Sequence, residues 1–248
     1  MLDLEYNYLD CLAELGVGGA HPGGLQLTKE ILSDEEIDGT MSILDAGCGT
    51  GQTSAYIAQQ YHCQVTALDY NQTMLDKAKS RFLTLKLPIE VKHGCVENLA
   101  NDRLFDMVLS ESVIAFTDAS LTIAAMKNAL KPDGVLLAIE MVLEEPHPEA
   151  NLQPIYEFYG VSHIRSEAEW ISLIKKQGFN QILVKEFKLT DNIVDVEHAS
   201  DFSLSENIDE AFFDMLHEHE YLTKVYRDIL GFRLFRCTVD KGVKRDDY

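Results

Sequence analysis

Apolar positions along the 248-residue chain fall into two rhythms. Short, mostly apolar runs at 41–45, 63–69, 105–112 and 135–142, and the alternating segment Ile89-Glu90-Val91-Lys92-His93 among them, have the length of strands. The run at 105–112 is apolar through its middle, as a strand covered on both faces is. Between them, apolar residues recur at three- and four-residue steps, which predicts helices at about 53–61, from Asn71 onward, and at about 120–130. The turn residues Lys131-Pro132-Asp133-Gly134 lead into the fifth of these strands, 135–142. Strands joined mostly by helix-sized connections predict an α/β fold with a doubly wound, mostly parallel sheet.

The flanks follow the same logic. Leu2, Tyr6, Leu9, Leu12 (or Ala13) and Leu15 predict an amphipathic helix over 2–15 that stops at Gly16. A glycine-rich connection, 18–24, leads to a second helix at about 25–32. Past 142 comes an excursion, about 143–165, whose Tyr156, Phe158 and Tyr159 are placed to wall a cavity. Ser166 and Glu169 form a capping box, so a helix starts there, buries Trp170, Leu173 and Ile174, and ends at Gly178. Runs at 179–189 and 230–239 supply the sixth and seventh strands.

Between those last strands lies an insertion, 190–229. From 189 to 223 it holds ten acids and no Lys or Arg. Ile208, Phe212, Met215, His219, Leu222, Tyr226 and Ile229 form one stripe of a long helix, packed as core or completing a substrate pocket or dimer contact. His217 and His219 fall on different helix faces, so no metal site is expected. The chain divides as an N-terminal helical lid (1–40), an α/β core (41–189), the helical insertion (190–229) and a last strand with tail (230–248).

The chemistry centres on the first strand. Ile43-Leu44-Asp45 is followed by Ala46 and by glycines at 47, 49 and 51, with Cys48 between the first two, and a helical pattern then begins at once. Backbone without Cβ takes positive φ and lets a ligand lie on the main chain, beside the free N–H groups of a helix start. A dinucleotide fingerprint requires a glycine at 52, where this chain has Gln52. About 20 residues on, Asp69 ends the second strand, where α/β nucleotide folds bind ribose hydroxyls. Its alternative role is the N-cap of the next helix, which Asn71 can also fill.

The D-x-G-x-G-x-G sequence at 45–51 resembles the first motif of class I S-adenosylmethionine-dependent methyltransferases. The resemblance covers about 25–189, most specifically 43–51, and includes the last strand by topology only. It implies a class I methyltransferase-like seven-stranded sheet, S-adenosylmethionine as cofactor, and methyl transfer to a small-molecule acceptor. It places Asp45, Ala46, Gly47, Cys48, Gly49 and Gly51 at the cofactor, Asp69 at the ribose, and Tyr70 and Met74 at the pocket rim.

The family commonly has an acid after the glycine that closes the third strand. Here Cys95 stands there; the Val96 amide remains for the adenine, and Glu97 is the nearest replacement carboxylate. Ser110 and Glu111 match the fourth motif, beside the methionine part, although Glu111 reads equally as a solvated strand-end acid. In this family the N-terminal segment serves as a lid that brings Thr28 near the cofactor; the plain alternative is a surface loop and a packing helix. His21 is a weaker candidate in the same loop.

Composition narrows the remaining choices. With 21 basic and 41 acidic residues the formal charge is −20, which repels nucleic-acid backbones. Five cysteines, without C-x-x-C spacing, suit reduced thiols. The acidic start and the lack of an apolar run near the roughly 20 residues of a membrane span point to a cytoplasmic protein without membrane attachment. Oligomeric state is open, with a homodimer one option.

In-line transfer from a sulfonium needs chiefly positioning, so no catalytic side chain is obligatory. If a base assists, Glu140, His147 and His163 are the residues in place for it. Two rival functions stand beside this one: a non-catalytic S-adenosylmethionine binder and a nicotinamide-dependent oxidoreductase, the latter disfavoured by Gln52.

Overall fold

A computed structural model describes residues 6–99, 104–187, 201–206 and 208–239. In chain order the elements are α1 (Tyr8–Leu15), β1 (Val17–Gly18), α2 (Gly24–Ser33), β2 (Ser42–Ala46), α3 (Gln52–Tyr61) and β3 (Gln64–Asp69). Then follow α4 (Gln72–Leu85), β4 (Glu90–His93), β5 (Phe105–Glu111), α5 (Ala119–Asn128), β6 (Leu130–Leu143) and α6 (Glu149–Tyr159). The last are α7 (Glu167–Lys176), β7 (Gln181–Glu186), β8 (Asp201–Phe202), α8 (Glu210–Val225) and β9 (Leu230–Thr238). No helix among the described residues is long and apolar enough to cross a membrane.

Seven strands form one sheet in the order β4-β3-β2-β5-β6-β9-β7. β2 to β6 pair in parallel, and β9 runs antiparallel between β6 and β7. The order reverses at β2, between β3 and β5, where α/β sheets open the crevice that binds ligands.

The mostly apolar runs have a simple cause. Leu44, Val108 and Leu136 pack into one core with Ile123, Met126 and Trp170. Their chain neighbours Ile43, Met107 and Leu137 point the other way, into a second core with Ile31, Leu32 and Ile57. Both faces are covered, so both phases of the strand period must be apolar.

A third apolar cluster joins α1, α6 and α8 through Tyr8, Leu12, Ile155, Tyr159, Phe212 and Leu222. The stripe expected in the insertion is this contact: Phe212, Met215, Leu222 and Tyr226 are buried, and Asp209 caps the helix. β1 pairs with β8. Lys77 of α4 donates to the carbonyls of Glu14 and Ser203, and Arg81 meets Asp201. One helix of the core thereby holds both the N-terminal segment and the 201–203 segment.

Several spans differ from the pattern-based ones. The first helix begins at Tyr8, because Asn7 and Asp10 form a capping box that sets its start; Leu2 lies outside the described residues. The Lys131–Gly134 turn is absorbed into β6 as a bulge, the register moving from Phe105–Leu130 to Met107–Val135 with Asp133 at φ +70°. The excursion after β6 contains a helix, α6, ended by Gly160 in the left-handed conformation. The sixth strand is confined to Gln181–Glu186, and 188–200 lies outside the described residues.

Candidate functional site

The three motif glycines do three different things. Gly47 has φ +85°, and a Cβ there would lie 2.3 Å from Val113 Cγ2. Gly51, at φ +74°, caps α3, and a Cβ would lie 2.5 Å from Phe82 Cζ. Gly49, at φ +52°, faces open space, its nearest neighbour being Met74 Sδ at 3.9 Å. Two glycines thus allow close packing and the middle one leaves the main chain bare toward the cavity. The turn is tied to β3, because the N–H groups of Gly47 and Cys48 both donate to the Leu68 carbonyl.

Asp69 faces this turn. Its Oδ2 accepts from the Gly49 N–H at 2.9 Å and its Oδ1 from the Asn71 N–H at 2.8 Å. Asn71 caps α4 through Met74 N–H, so Asp69 is not needed as a cap. The Tyr70 N–H also bears on it, so of the about four acceptor positions of a carboxylate about one remains for a ligand. Burial raises the Asp69 pKa.

Asp45 and Glu111 complete an acidic wall. Asp45 is buried, accepts from Ser54 Oγ at 2.5 Å, and is pushed up to about 7 by burial, with the Glu111 charge adding to it. Glu111 accepts from Thr28 Oγ1 at 2.5 Å and from Thr53 Oγ1 at 2.7 Å, with His21 Nε2 at 3.4 Å. Glu111 is therefore an anchored group at the wall rather than a solvated strand end. Three carboxylates around bare main chain suit a ligand carrying positive charge beside polar groups.

The cavity enclosed here measures about 1480 Å³, above the roughly 300–1,000 Å³ of a single small-ligand site. Asp45, Gly47, Cys48, Gly49, Asp69 and Glu111 line it, as do Tyr70, Met74, Cys95, Val96, Glu97 and His21. Cys95 and Tyr70 are exposed at its mouth, whereas Val96 is buried.

Four expected residues stand behind the wall. Thr28 is buried and spends its hydroxyl on Glu111, Ala46 packs in the core, Gly51 packs on Phe82, and Ser110 is fully buried in β5. Placing these four directly at a ligand is corrected: none of the four lines the cavity; Gly47, Gln52 and Glu111, next to three of them in the chain, do. The hydroxyls of Thr50 and Ser110 are buried without a partner among the described residues, and Thr50 lines the cavity beside Gly49.

The three proposed bases separate as well. Glu140 lines the cavity, but its two oxygens accept from Ile114 N–H at 2.9 Å and Ala115 N–H at 3.2 Å. It holds the 3₁₀ turn 114–116, and burial pushes it up to about 8. His163 is exposed at the wall, 3.6 Å from Glu169. His147 is not part of the wall.

Pattern reasoning missed Tyr8, Thr53, Val113 and the facing of His219, all of which line the cavity. The polar position inside the apolar stripe of α8 was the one sequence signal for His219.

A methyltransferase domain model matches residues 43–134. An uncharacterized methyltransferase of Bacillus subtilis, YodH, is 36% identical over 92% of this chain and 97% of its own length. Phosphoethanolamine N-methyltransferase 1 of Arabidopsis thaliana is 23% identical over 91% of this chain, which spans 45% of that protein's length. The solved structure of Haemonchus contortus phosphoethanolamine N-methyltransferase 2 with S-adenosyl-L-methionine aligns at TM-score 0.75 and 18% identity, over 96% of this chain and 59% of that one. A Thiobacillus denitrificans methyltransferase with S-adenosyl-L-homocysteine aligns at 0.68 and 17%, over 96% and 100%. With its glycine turn, facing carboxylate and seven-stranded sheet, the chain belongs to the class I S-adenosylmethionine-dependent methyltransferases.

Proposed function

We propose that the chain transfers a methyl group from S-adenosylmethionine to a small-molecule acceptor held between the cradle and the α1–α6–α8 cap, in the cytoplasm. The observation that carries this is one cavity bounded on one side by Gly49 and Asp69 and on the other by Tyr8, Tyr159 and Phe116. The cofactor supplies a methyl on a positively charged sulfur, already bonded to a good leaving group.

The residues present fit that cofactor. Asp69 offers its remaining acceptor capacity to a ribose hydroxyl, and the Val96 amide with Glu97 and Cys95 bounds the adenine. Asp45, Glu111 and the bare Gly49 main chain take the methionine end, where the ammonium and sulfonium charges meet carboxylates; Thr50 Oγ1 gains the partner it lacks. Thr28 and His21 keep Glu111 in place, and Tyr70 and Met74 bound the rim.

The cap excludes water and holds the acceptor against the methyl, which supplies most of what in-line displacement requires. Phosphoethanolamine enzymes among the relatives support a small acceptor, and the acidic chain disfavours nucleic acid.

Calorimetry with S-adenosylhomocysteine tests the placement. Gly49→Val and Asp69→Ala are expected to weaken binding at least about tenfold, the worth of one or two charge-assisted hydrogen bonds, with circular dichroism unchanged. Wild-type affinity in both variants would refute it.

A further inference from the structure

We propose that Arg165 binds an anionic group, a carboxylate or a phosphate, carried by the methyl acceptor, and so decides which acceptors the chain takes; this rests on the function proposed above.

Main-chain pairing fixes where Arg165 stands. β5 ends against β6 at the Glu111–Ile139 pair. Four residues further along β6, Leu143 has Leu230 of β9 on one side and a parallel bridge to Ser166 on the other, and its N–H donates to the Arg165 carbonyl at 2.9 Å. Residues 165–166 therefore take the place that β5 would fill if it continued. At about 3.3 Å per residue this puts Arg165 about 13 Å along the strand from the level of Glu111, the carboxylate assigned above to the methionine end of the cofactor. Arg165 lines the same cavity, so an acceptor lying between them has its methylated atom toward one end and Arg165 at the other.

The guanidinium is held ready and left without an anion. It lies over the Trp170 ring at 4.8 Å, and that buried ring is fixed by its own Nε1–H, which donates to the Met141 carbonyl at 3.0 Å. Partly buried itself, the Arg165 side chain makes no hydrogen bond or ion pair with any described residue. The neighbouring carboxylates are committed elsewhere. Glu144 and Glu167 both serve Arg233, Glu169 closes the capping box of α7 with His163 at 3.6 Å, and Glu140 accepts from the amides of Ile114 and Ala115. Glu140 feels the Arg165 charge, yet burial outweighs it and pushes the carboxyl up to about 8, so it keeps its proton at neutral pH and offers no countercharge.

The ligand chemistry follows from the donor. The planar fork of a guanidinium matches two oxygens of a carboxylate or a phosphate, and stacking on Trp170 leaves its N–H edges free to present to them. The Ile229 carbonyl accepts from Glu144 N–H at 2.9 Å, which brings Arg227, two residues earlier and also on the cavity wall, to the same end. Its ion pair with Asp228 is long, 3.7 Å, and both partners are exposed, so it adds a second cation at the rim. The acceptor class is accordingly a small compound with a carboxylate or phosphate at one end and the methylated atom at the other.

Calorimetry on the full chain saturated with S-adenosylhomocysteine tests this, with inorganic phosphate and acetate as probes at ionic strength matched by sodium chloride. At least one anion is expected to bind saturably. Arg165→Gln is expected to weaken that binding at least about tenfold, the worth of one charged hydrogen bond, while leaving S-adenosylhomocysteine affinity unchanged. Arg165→Lys, which keeps the charge without the fork, serves if the Gln variant folds poorly and is expected to fall between the two. Tighter phosphate assigns a phosphorylated acceptor, tighter acetate a carboxylic one. Binding of neither anion, or equal binding in wild type and variants, overturns the proposal. So does an equal loss of S-adenosylhomocysteine affinity in Arg165→Gln, which gives the residue to the cofactor instead. A wild type that fails to bind S-adenosylhomocysteine while still binding the anion through Arg165 sinks the function proposed above and leaves the anion site standing.

Discussion

The main-chain N–H of Gly49 donates to Oδ2 of Asp69 across 2.9 Å, joining the turn after β2 to the end of β3 by a charge-assisted bond. The carboxylate is thereby fixed in direction before any ligand arrives, with Asn71 N–H holding its second oxygen. A preorganised acceptor loses little freedom on binding, which favours affinity.

The motif glycines are separable by experiment. Gly47→Ala and Gly51→Ala drive a Cβ into Val113 and Phe82, so each is expected to lower stability by about 2–3 kcal/mol. Gly49→Ala meets nothing closer than 3.9 Å and is expected to cost about 1 kcal/mol, mostly for its left-handed backbone. Urea denaturation reads all three; equal losses would show that the glycines serve one packing role.

Asp45 makes a prediction about pH. Its folded pKa, about 7, lies above the ordinary 3.8, so the folded state holds the proton more tightly across that interval. Stability from this group is therefore full below about pH 4 and is lost as pH rises through 7. Asp45→Asn keeps the contact with Ser54 and removes the titration. Relative to the variant, the wild type is expected to lose on the order of 3 kcal/mol between pH 4 and pH 8. Parallel stability–pH curves for the two proteins would contradict the assignment.

Arg233 ties β9 to the base of the cap. Buried itself, it forks onto both Glu144 oxygens at 2.8 and 2.6 Å and reaches Glu167 at 2.9 Å. Glu144 follows β6 and Glu167 opens α7, so three elements meet at one guanidinium. Arg233→Ala leaves two carboxylates facing each other and is expected to cost about 3 kcal/mol, whereas Arg233→Met, which refills the volume, costs about half of that. Thermal melts of both variants decide it; identical losses would mean that the lost ion pairs alone are at stake and the refilled volume counts for nothing.

Family membership sets aside the nicotinamide-dependent reading, and Gln52 illustrates why the motif spoke against it. The side chain that replaces the third fingerprint glycine turns toward Asp201, 3.5 Å away, on the segment that pairs with β1. Local spacing excluded one ligand class there, while the partner of Gln52 lay about 150 residues away.

Much of the architecture was determined by the sequence on its own. Period-two and period-3.6 patterns, the three glycines and the capping box at Ser166 are local instructions, because each specifies φ and ψ or the burial of a face within a few residues. They gave the strands, the cradle and Asp69. Tertiary structure alone decided which polar groups turn into the cavity: Glu111 held by Thr28 and Thr53, Glu140 diverted to the amides of 114 and 115, and His219 brought beside Tyr8. No window of sequence encodes those meetings, since they arise when separately folded elements pack and their side chains compete for the same few hydrogen-bond partners.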